Sequence, residues 1–324
     1  MSASNKTAVN KKNGLIELFR FLCAVWVAYF HGFFPVLSEY FDGTIVPVDF
    51  FFIVSGFFFL KSIEKYLDRP FWEGVRDIVF GRTKRFIVSL IIAALSIILC
   101  NIIFPLELDG GYNWPPSFLW FFLVQFLCLS LYYLLLKKVR KMYIFNIVCV
   151  AMICLSFTYS TNFGKPMDIP YRSPGMLAVG MLLSQIPKIK ITLNDEKKAE
   201  KWRLILNAVG FAIAASAFVY LAYLPVHKVW KAHVLCLLVC PAVVYFATEL
   251  PVRSKFLNLL GEFSVCIYLA QCPILFHRYL VSMDTRDQFP LLCICAVGMF
   301  ILNRIINNRA KKAKVAKQTT QTLQ

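Results

Sequence analysis

The chain has 324 residues and a formal net charge of +17. Hydrophobic residues make up 59% of it and charged residues 16%, whereas soluble domains have about 45–50% and about 25%. Because so few charges cannot cover a soluble surface, the composition predicts a polytopic membrane protein. It excludes a disordered chain, a disulfide scaffold and a coiled coil. The eleven cysteines form no CxxC pair and no zinc spacing, so we expect no metal site.

Ten apolar stretches are candidates to cross a bilayer, which takes about 20 helical residues. The sequence therefore predicts an all-α integral membrane protein with about ten transmembrane helices. Residues 1–13 form a predicted cytoplasmic tail, 14–306 the transmembrane domain, and 307–324 a basic cytoplasmic tail that we expect to be disordered. The ten predicted spans are 14–37, 46–62, 86–105, 117–136, 143–160, 174–187, 203–223, 232–249, 257–279 and 289–306.

The positive charge follows this topology. Of the 35 Lys and Arg residues, 28 lie on the side of the two termini, six lie on the other side, and Arg20 lies inside the first span. Basic loops mark the cytoplasmic face, so we expect both termini in the cytoplasm and the chain in a cell membrane. Since the charge serves topology, we expect a lipid bilayer and no nucleic acid as partner.

The first span contains three ionisable residues, Glu17, Arg20 and His31. Such residues are costly in lipid and are candidates for function. At about 100° per residue, Arg20 and His31 share a helix face and lie roughly 16 Å apart along the axis. Glu17 is one turn before Arg20 and can pair with it. Two simpler interpretations stay open: Arg20 snorkels to the interface, and His31 makes an interhelical hydrogen bond.

The start of the second span holds Asp49, at a depth similar to that of His31 because the two helices are antiparallel. A carboxylate there can orient the histidine as a base, or it can cap its own helix. Further along, Ser55-Gly56 predicts a close helix contact. Before the third span, Arg82 and Arg85 share one helix face, which suits a phosphate, although cytoplasmic positive charge explains them equally well.

Taken together, these segments resemble the membrane-bound acyltransferase-3 family, which includes bacterial O-acetyltransferases of surface glycans. The resemblance covers about residues 14 to 306. At Gln271 the family usually has a histidine, and at Gln125 many members have a glutamate, so this chain lacks a titratable group at both positions. The matching segments are Arg20-x10-His31, Val48 to Phe57, Arg82-x-x-Arg85, Phe118 to Leu123 and Gly261 to Pro273.

The resemblance implies transfer of an acyl group, most simply acetyl, from cytoplasmic acyl-CoA to a hydroxyl of a surface polysaccharide or its lipid-linked precursor. It implies His31 as the catalytic residue, acting as a general base or as a transient acyl carrier. Arg20, Arg82 and Arg85 would bind the CoA end. We expect Asp49 to orient His31, and candidates for holding the sugar are Trp114, Trp120 and Arg172.

A proton-coupled transporter of a small solute or glycan precursor is the alternative. Ten spans with intramembrane Arg, His and Asp fit a carrier. The titratable residues, however, cluster in the first three spans instead of recurring in two matched halves. Detection of acyl transfer by the purified protein distinguishes the two functions.

Overall fold

The structure, a computed structural model, describes residues 12–33, 45–83, 87–103, 119–162, 169–223, 230–275 and 285–322, and these fold into helices joined by short turns and irregular segments. No strand occurs in these ranges, so the predicted all-α fold is confirmed. The helices are α1 (Gly14–Ala28, continued by a π-helical turn at Tyr29–Phe33), α2 (Ile45–Leu67), α3 (Phe71–Thr83), α4 (Ile87–Ile103), α5 (Leu119–Val139), α6 (Met142–Asn162), α7 (Ile169–Leu183), α8 (Glu196–Ala222), α9 (Trp230–Glu249), α10 (Lys255–Leu275) and α11 (Thr285–Thr322).

Every predicted span overlaps one of these helices, and α3 lies between the second and third spans. Five segments are long and apolar enough to cross a bilayer by length and composition alone, as a multi-pass membrane protein requires. That the chain has ten transmembrane spans, and that both termini lie in the cytoplasm, remain predictions. The five segments are Gly14–His31, Val46–Ile63, Phe121–Val139, Glu196–Leu221 and Asp287–Arg309.

Several helix boundaries differ from the predicted spans, and two of the differences have a physical explanation. The sixth span was expected at 174–187, but α7 begins at Ile169 and contains Pro174. Pro174 lies early in the helix, where its missing N–H deprives only one carbonyl of a helical donor. The basic tail from residue 307, expected to be disordered, continues α11 to Thr322. This segment is rich in Ala, Lys and Gln, which favour helix.

Helix α1 begins at a cap that ties it to the end of α9. The Asn13 side chain accepts hydrogen bonds from the backbone N–H groups of Leu15 and Ile16, and its Nδ2 donates to the carbonyls of Ala247 and Leu250, each at 2.8 Å. Such a cap contributes about 1 kcal/mol in soluble proteins, and here it also joins two helices at one end of the bundle.

Helix α1 lies between two apolar clusters. On one side Phe19 packs against Phe50 of α2 and Phe218 of α8, with ring centroids 5.9 and 5.3 Å apart. On the other side Ala24 and Ala28 belong to a cluster with residues of α4, α10 and α11. The small alanines let α10 approach closely, as is usual where helices pack in lipid.

Helices α2 and α7 are held together by two glycines. A Cβ atom added to Gly56 would lie 2.0 Å from the carbonyl oxygen of Leu177, and one added to Gly180 would lie 2.0 Å from that of Ile53. The contact is therefore backbone against backbone, and no side chain fits between the helices. The predicted packing role of Gly56 agrees with this geometry.

We expect Gly56→Ala and Gly180→Ala each to destabilise the fold by more than about 1 kcal/mol, because the new methyl group forces two helix backbones apart. The measurement is thermal unfolding in detergent, followed by reaction of a thiol dye with buried cysteines such as Cys23 and Cys240. Gly298→Ala is the matched control, since its Cβ would meet no atom within 4 Å. Equal midpoints for all three variants would contradict the prediction.

Candidate functional site

His31 lies in the π-helical turn that ends α1. A π-turn inserts one residue into a helix, shifts the side chains that follow it, and is frequent at functional sites. The imidazole Nδ1 lies 2.7 Å from Oε1 of Gln271 on α10. His31 is exposed at the surface of the described residues, whereas Gln271 is 1% exposed. The histidine is thus accessible on one side and anchored to a buried amide on the other.

The Gln271 amide turns its oxygen toward His31. An amide oxygen only accepts hydrogen bonds, so in this arrangement the neutral histidine carries its hydrogen on Nδ1 and donates it to Oε1. The lone pair then lies on Nε2, which is the form that a general base needs. The other atom of the amide, Nε2 of Gln271, is buried and has no hydrogen-bond partner within the described ranges.

Asp49 lies against Arg172, not against His31. Nη2 of Arg172 donates to Oδ2 of Asp49 at 2.5 Å, and the two side chains are 4% and 1% exposed. A carboxylate with a buried guanidinium beside it has its charge balanced in place. The expected pairing of Asp49 with His31 is therefore not the arrangement in the structure, and Arg172, expected to hold a sugar, is engaged inside the bundle.

Arg20 is paired within α1. Its Nη1 donates to both carboxylate oxygens of Glu17, at 3.1 and 3.3 Å, as the sequence predicted. Glu17 in turn lies over Gly261 of α10: a Cβ added to this glycine would lie 1.7 Å from the Glu17 carboxylate. A guanidinium has five N–H donors, so the ion pair leaves Nη2 of Arg20 for another anion. The Arg20 side chain is 28% exposed.

The other predicted site residues are located less fully. Arg82 lies in the last turn of α3 and Trp120 in the first turn of α5, but their side chains lie outside the described atoms. Arg85 and Trp114 lie outside the described residues. Their proposed roles stay predictions.

Both positions where the chain lacks a family acid or base hold hydrogen-bonded amides. Gln271 contacts His31, and Nε2 of Gln125 donates to the hydroxyl of Ser55 at 2.9 Å. Sequence reasoning treated Gln271 as a lost group and missed it as the partner of His31. It also missed Arg172 as the counter-ion of Asp49, because the predicted sixth span began at 174 and left Arg172 outside it, whereas α7 begins at Ile169.

Comparison with known proteins gives one match. A family model described as an acyltransferase domain matches residues 13–307, nearly the whole described bundle. No curated protein and no solved structure matches the chain.

We expect Asp49→Asn to destabilise the protein by about 3–5 kcal/mol, because it leaves the Arg172 charge buried without a partner. The double variant Asp49→Leu/Arg172→Met, which removes both charges, should recover most of that loss. Thermal unfolding in detergent measures the difference. The control is Asp68→Asn, whose ion pair with Arg140 is exposed and should matter little. A double variant no more stable than Asp49→Asn would contradict this reading of the pair.

Proposed function

The chain belongs to the membrane-bound acyltransferase-3 family, and from that premise we propose that it moves an acyl group from cytoplasmic acyl-CoA to a hydroxyl of a surface glycan or its lipid-linked precursor. Acetyl is the simplest acyl group for this reaction. The reaction class rests on the match to the acyltransferase domain over residues 13–307. The residue assignment rests on His31, which carries its lone pair on Nε2 at the accessible end of α1.

In the proposed reaction His31 acts on the acceptor hydroxyl. A base that is held in one tautomer and is open on its other nitrogen suits this role, which contributes about 10²–10⁴-fold in rate. The contact with Gln271 at 2.7 Å supports the assignment, since it engages Nδ1 and no residue that the structure describes is hydrogen-bonded to Nε2. Asp49, already bonded to Arg172, contributes to the site by holding α2 against α7.

Arg20 is the proposed ligand of the CoA end. It is anchored by Glu17 over Gly261, and its remaining donors suit a phosphate oxygen or an amide carbonyl of the pantetheine arm. Arg82, at the end of α3, and Arg85 are proposed to bind the nucleotide phosphates. This arrangement has CoA entering from the side of the termini, which we propose is the cytoplasm. The pantetheine arm would then span the roughly 16 Å to His31.

The directions of the helices agree with this arrangement. Contacts join Lys12 to Glu262 at one end and His31 to Gln271 at the other, so α1 and α10 run parallel. Asp49 contacts Arg172 and Gly56 lies against Leu177, so α2 and α7 also run parallel. In a ten-span topology these pairs are the first with the ninth span and the second with the sixth, and both pairs must be parallel.

The test is transfer of labelled acetyl from acetyl-CoA by the purified protein. The acceptor is a polysaccharide and lipid extract from cells that lack the gene. We expect His31→Ala to lose about 10²-fold or more of the transfer rate, because the base is removed. His233→Ala, at a second histidine within a predicted span (232–249), is the matched control and should retain activity. Transport of an intact solute without any acyl transfer would overturn the proposal and favour a carrier.

Arg20→Gln should raise the KM for acetyl-CoA by roughly 10-fold or more with little change in kcat. The variant loses one charge-assisted contact, worth about 1.5–3 kcal/mol, while the base stays in place. Steady-state kinetics with acetyl-CoA as the varied substrate measures both constants. Lys12→Gln, which removes a basic residue at the same end of the bundle, is the control and should leave KM unchanged. An unaltered KM in Arg20→Gln would remove Arg20 from the donor site.

A further inference from the structure

The partner of His31 is a neutral amide, and this bears on the route of the acyl group. We propose that Gln271 is a positioning residue that commits His31 to direct transfer, in which the acyl group passes from CoA to the acceptor without residing on the histidine. The inference rests on the proposed acyltransferase function and deepens it. It is carried by the contact between Nδ1 of His31 and Oε1 of Gln271, and by the burial of Gln271.

Direct transfer keeps the charge of His31 compensated throughout. Nε2 takes the proton of the acceptor hydroxyl as the hydroxyl oxygen bonds to the thioester carbon, and the carbonyl electrons move onto the carbonyl oxygen. The oxyanion then re-forms the carbonyl as the C–S bond breaks, and the CoA sulfur leaves as a thiolate and takes the proton from Nε2. The imidazolium thus exists only while a negative oxygen or sulfur lies beside it. One ester forms, one thioester breaks, and the free thiol and neutral imidazole are restored.

The acyl-histidine route needs something that Gln271 does not provide. Attack by Nε2 on the thioester would place the acyl group on Nε2 while Nδ1 still carries its hydrogen, giving a cationic acylimidazolium. The negative CoA thiolate balances the positive charge of this acylimidazolium. The acylimidazolium would therefore have to persist after the thiolate has left. It becomes neutral only if Nδ1 loses its proton, and an amide oxygen accepts a hydrogen bond but does not take the proton. The CoA thiolate therefore takes the acyl group back and regenerates the thioester before the acylimidazolium can persist.

A carboxylate could take the proton from Nδ1. Asp49, the carboxylate expected beside His31, is paired with another residue. Asp49 is bonded to Arg172, with both side chains at least nine-tenths buried. In the described part of the chain no carboxylate forms an ion pair with His31. Gln271 is close to glutamate in shape, so Gln271→Glu would introduce the missing proton acceptor with little change in volume.

Exchange of labelled CoA into acetyl-CoA without an acceptor tests the inference. This exchange requires an acyl-enzyme that releases CoA and takes it back. In the intact wild-type chain we expect exchange no faster than in His31→Ala, and no acetyl group on the His31 peptide by mass spectrometry. In Gln271→Glu we expect exchange above that background and a trapped acetyl group on His31.

Acetyl transfer to the cell extract is measured on the same preparations. Failure of this inference can therefore be distinguished from failure of the proposed function. Wild-type exchange that His31→Ala abolishes would overturn the inference while leaving the proposed function intact. A Gln271→Glu variant that retains transfer but gains no exchange would also overturn it, since Gln271 would not decide the route. Absence of transfer by the wild-type protein would instead overturn the proposed function. If Gln271→Glu fails to fold, the wild-type exchange and peptide measurements still decide whether the acyl group resides on His31.

Discussion

The parallel packing of α1 against α10 is the constraint on which the candidate site depends. At one end of this interface Glu17 lies over Gly261 and holds Arg20, and at the other end His31 meets Gln271. Between them, small residues let the two helices approach closely. One helix pair therefore positions both Arg20, at the proposed CoA end, and His31, the proposed base. A shift of α10 along α1 would disturb the two ends together, which is why a glycine and an amide on α10 matter as much as the charged residues on α1.

The packing of α2 against α1 and α7 forms a second interface, which supports the packing of α1 against α10. Helix α2 packs against α1 through Phe19 and Phe50 and against α7 through the glycine contact at Gly56. The buried pair of Asp49 and Arg172 joins α2 to α7 as well. Removal of two charges from water is costly, so such a pair is weak evidence for added stability. Its clearer effect is on register, because the ion pair and the reciprocal glycines fit only one relative position of the two helices.

Sequence reasoning recovered what depends on local periodicity. The ten apolar stretches each fall on a helix, and the spacing of Glu17, Arg20 and His31 correctly placed the ion pair within α1. Contacts between helices distant in sequence were harder. Asp49 and His31 were expected to pair because they lie at similar depth, but depth does not specify which faces meet. Rotation of α2 toward α7 brings Asp49 to Arg172. The end of α11 was missed for another reason, since its charge suggested disorder while its composition favours helix.

Two buried amides, Gln271 and Gln125, occupy the positions where the family resemblance implies a titratable group. Gln271 and Gln125 each make the hydrogen bond expected of a polar side chain at that position, to His31 and to Ser55. Neither can exchange a proton, and the charge of Asp49 is balanced by Arg172. Among these described residues, His31 is therefore the one to which we assign proton transfer in the proposed reaction. In the proposed direct transfer, a single base whose partner is neutral would return its proton to the leaving thiolate, so donor and acceptor would occupy the site together. Under that proposal, the acceptor hydroxyl would reach His31 while the thioester is still bound.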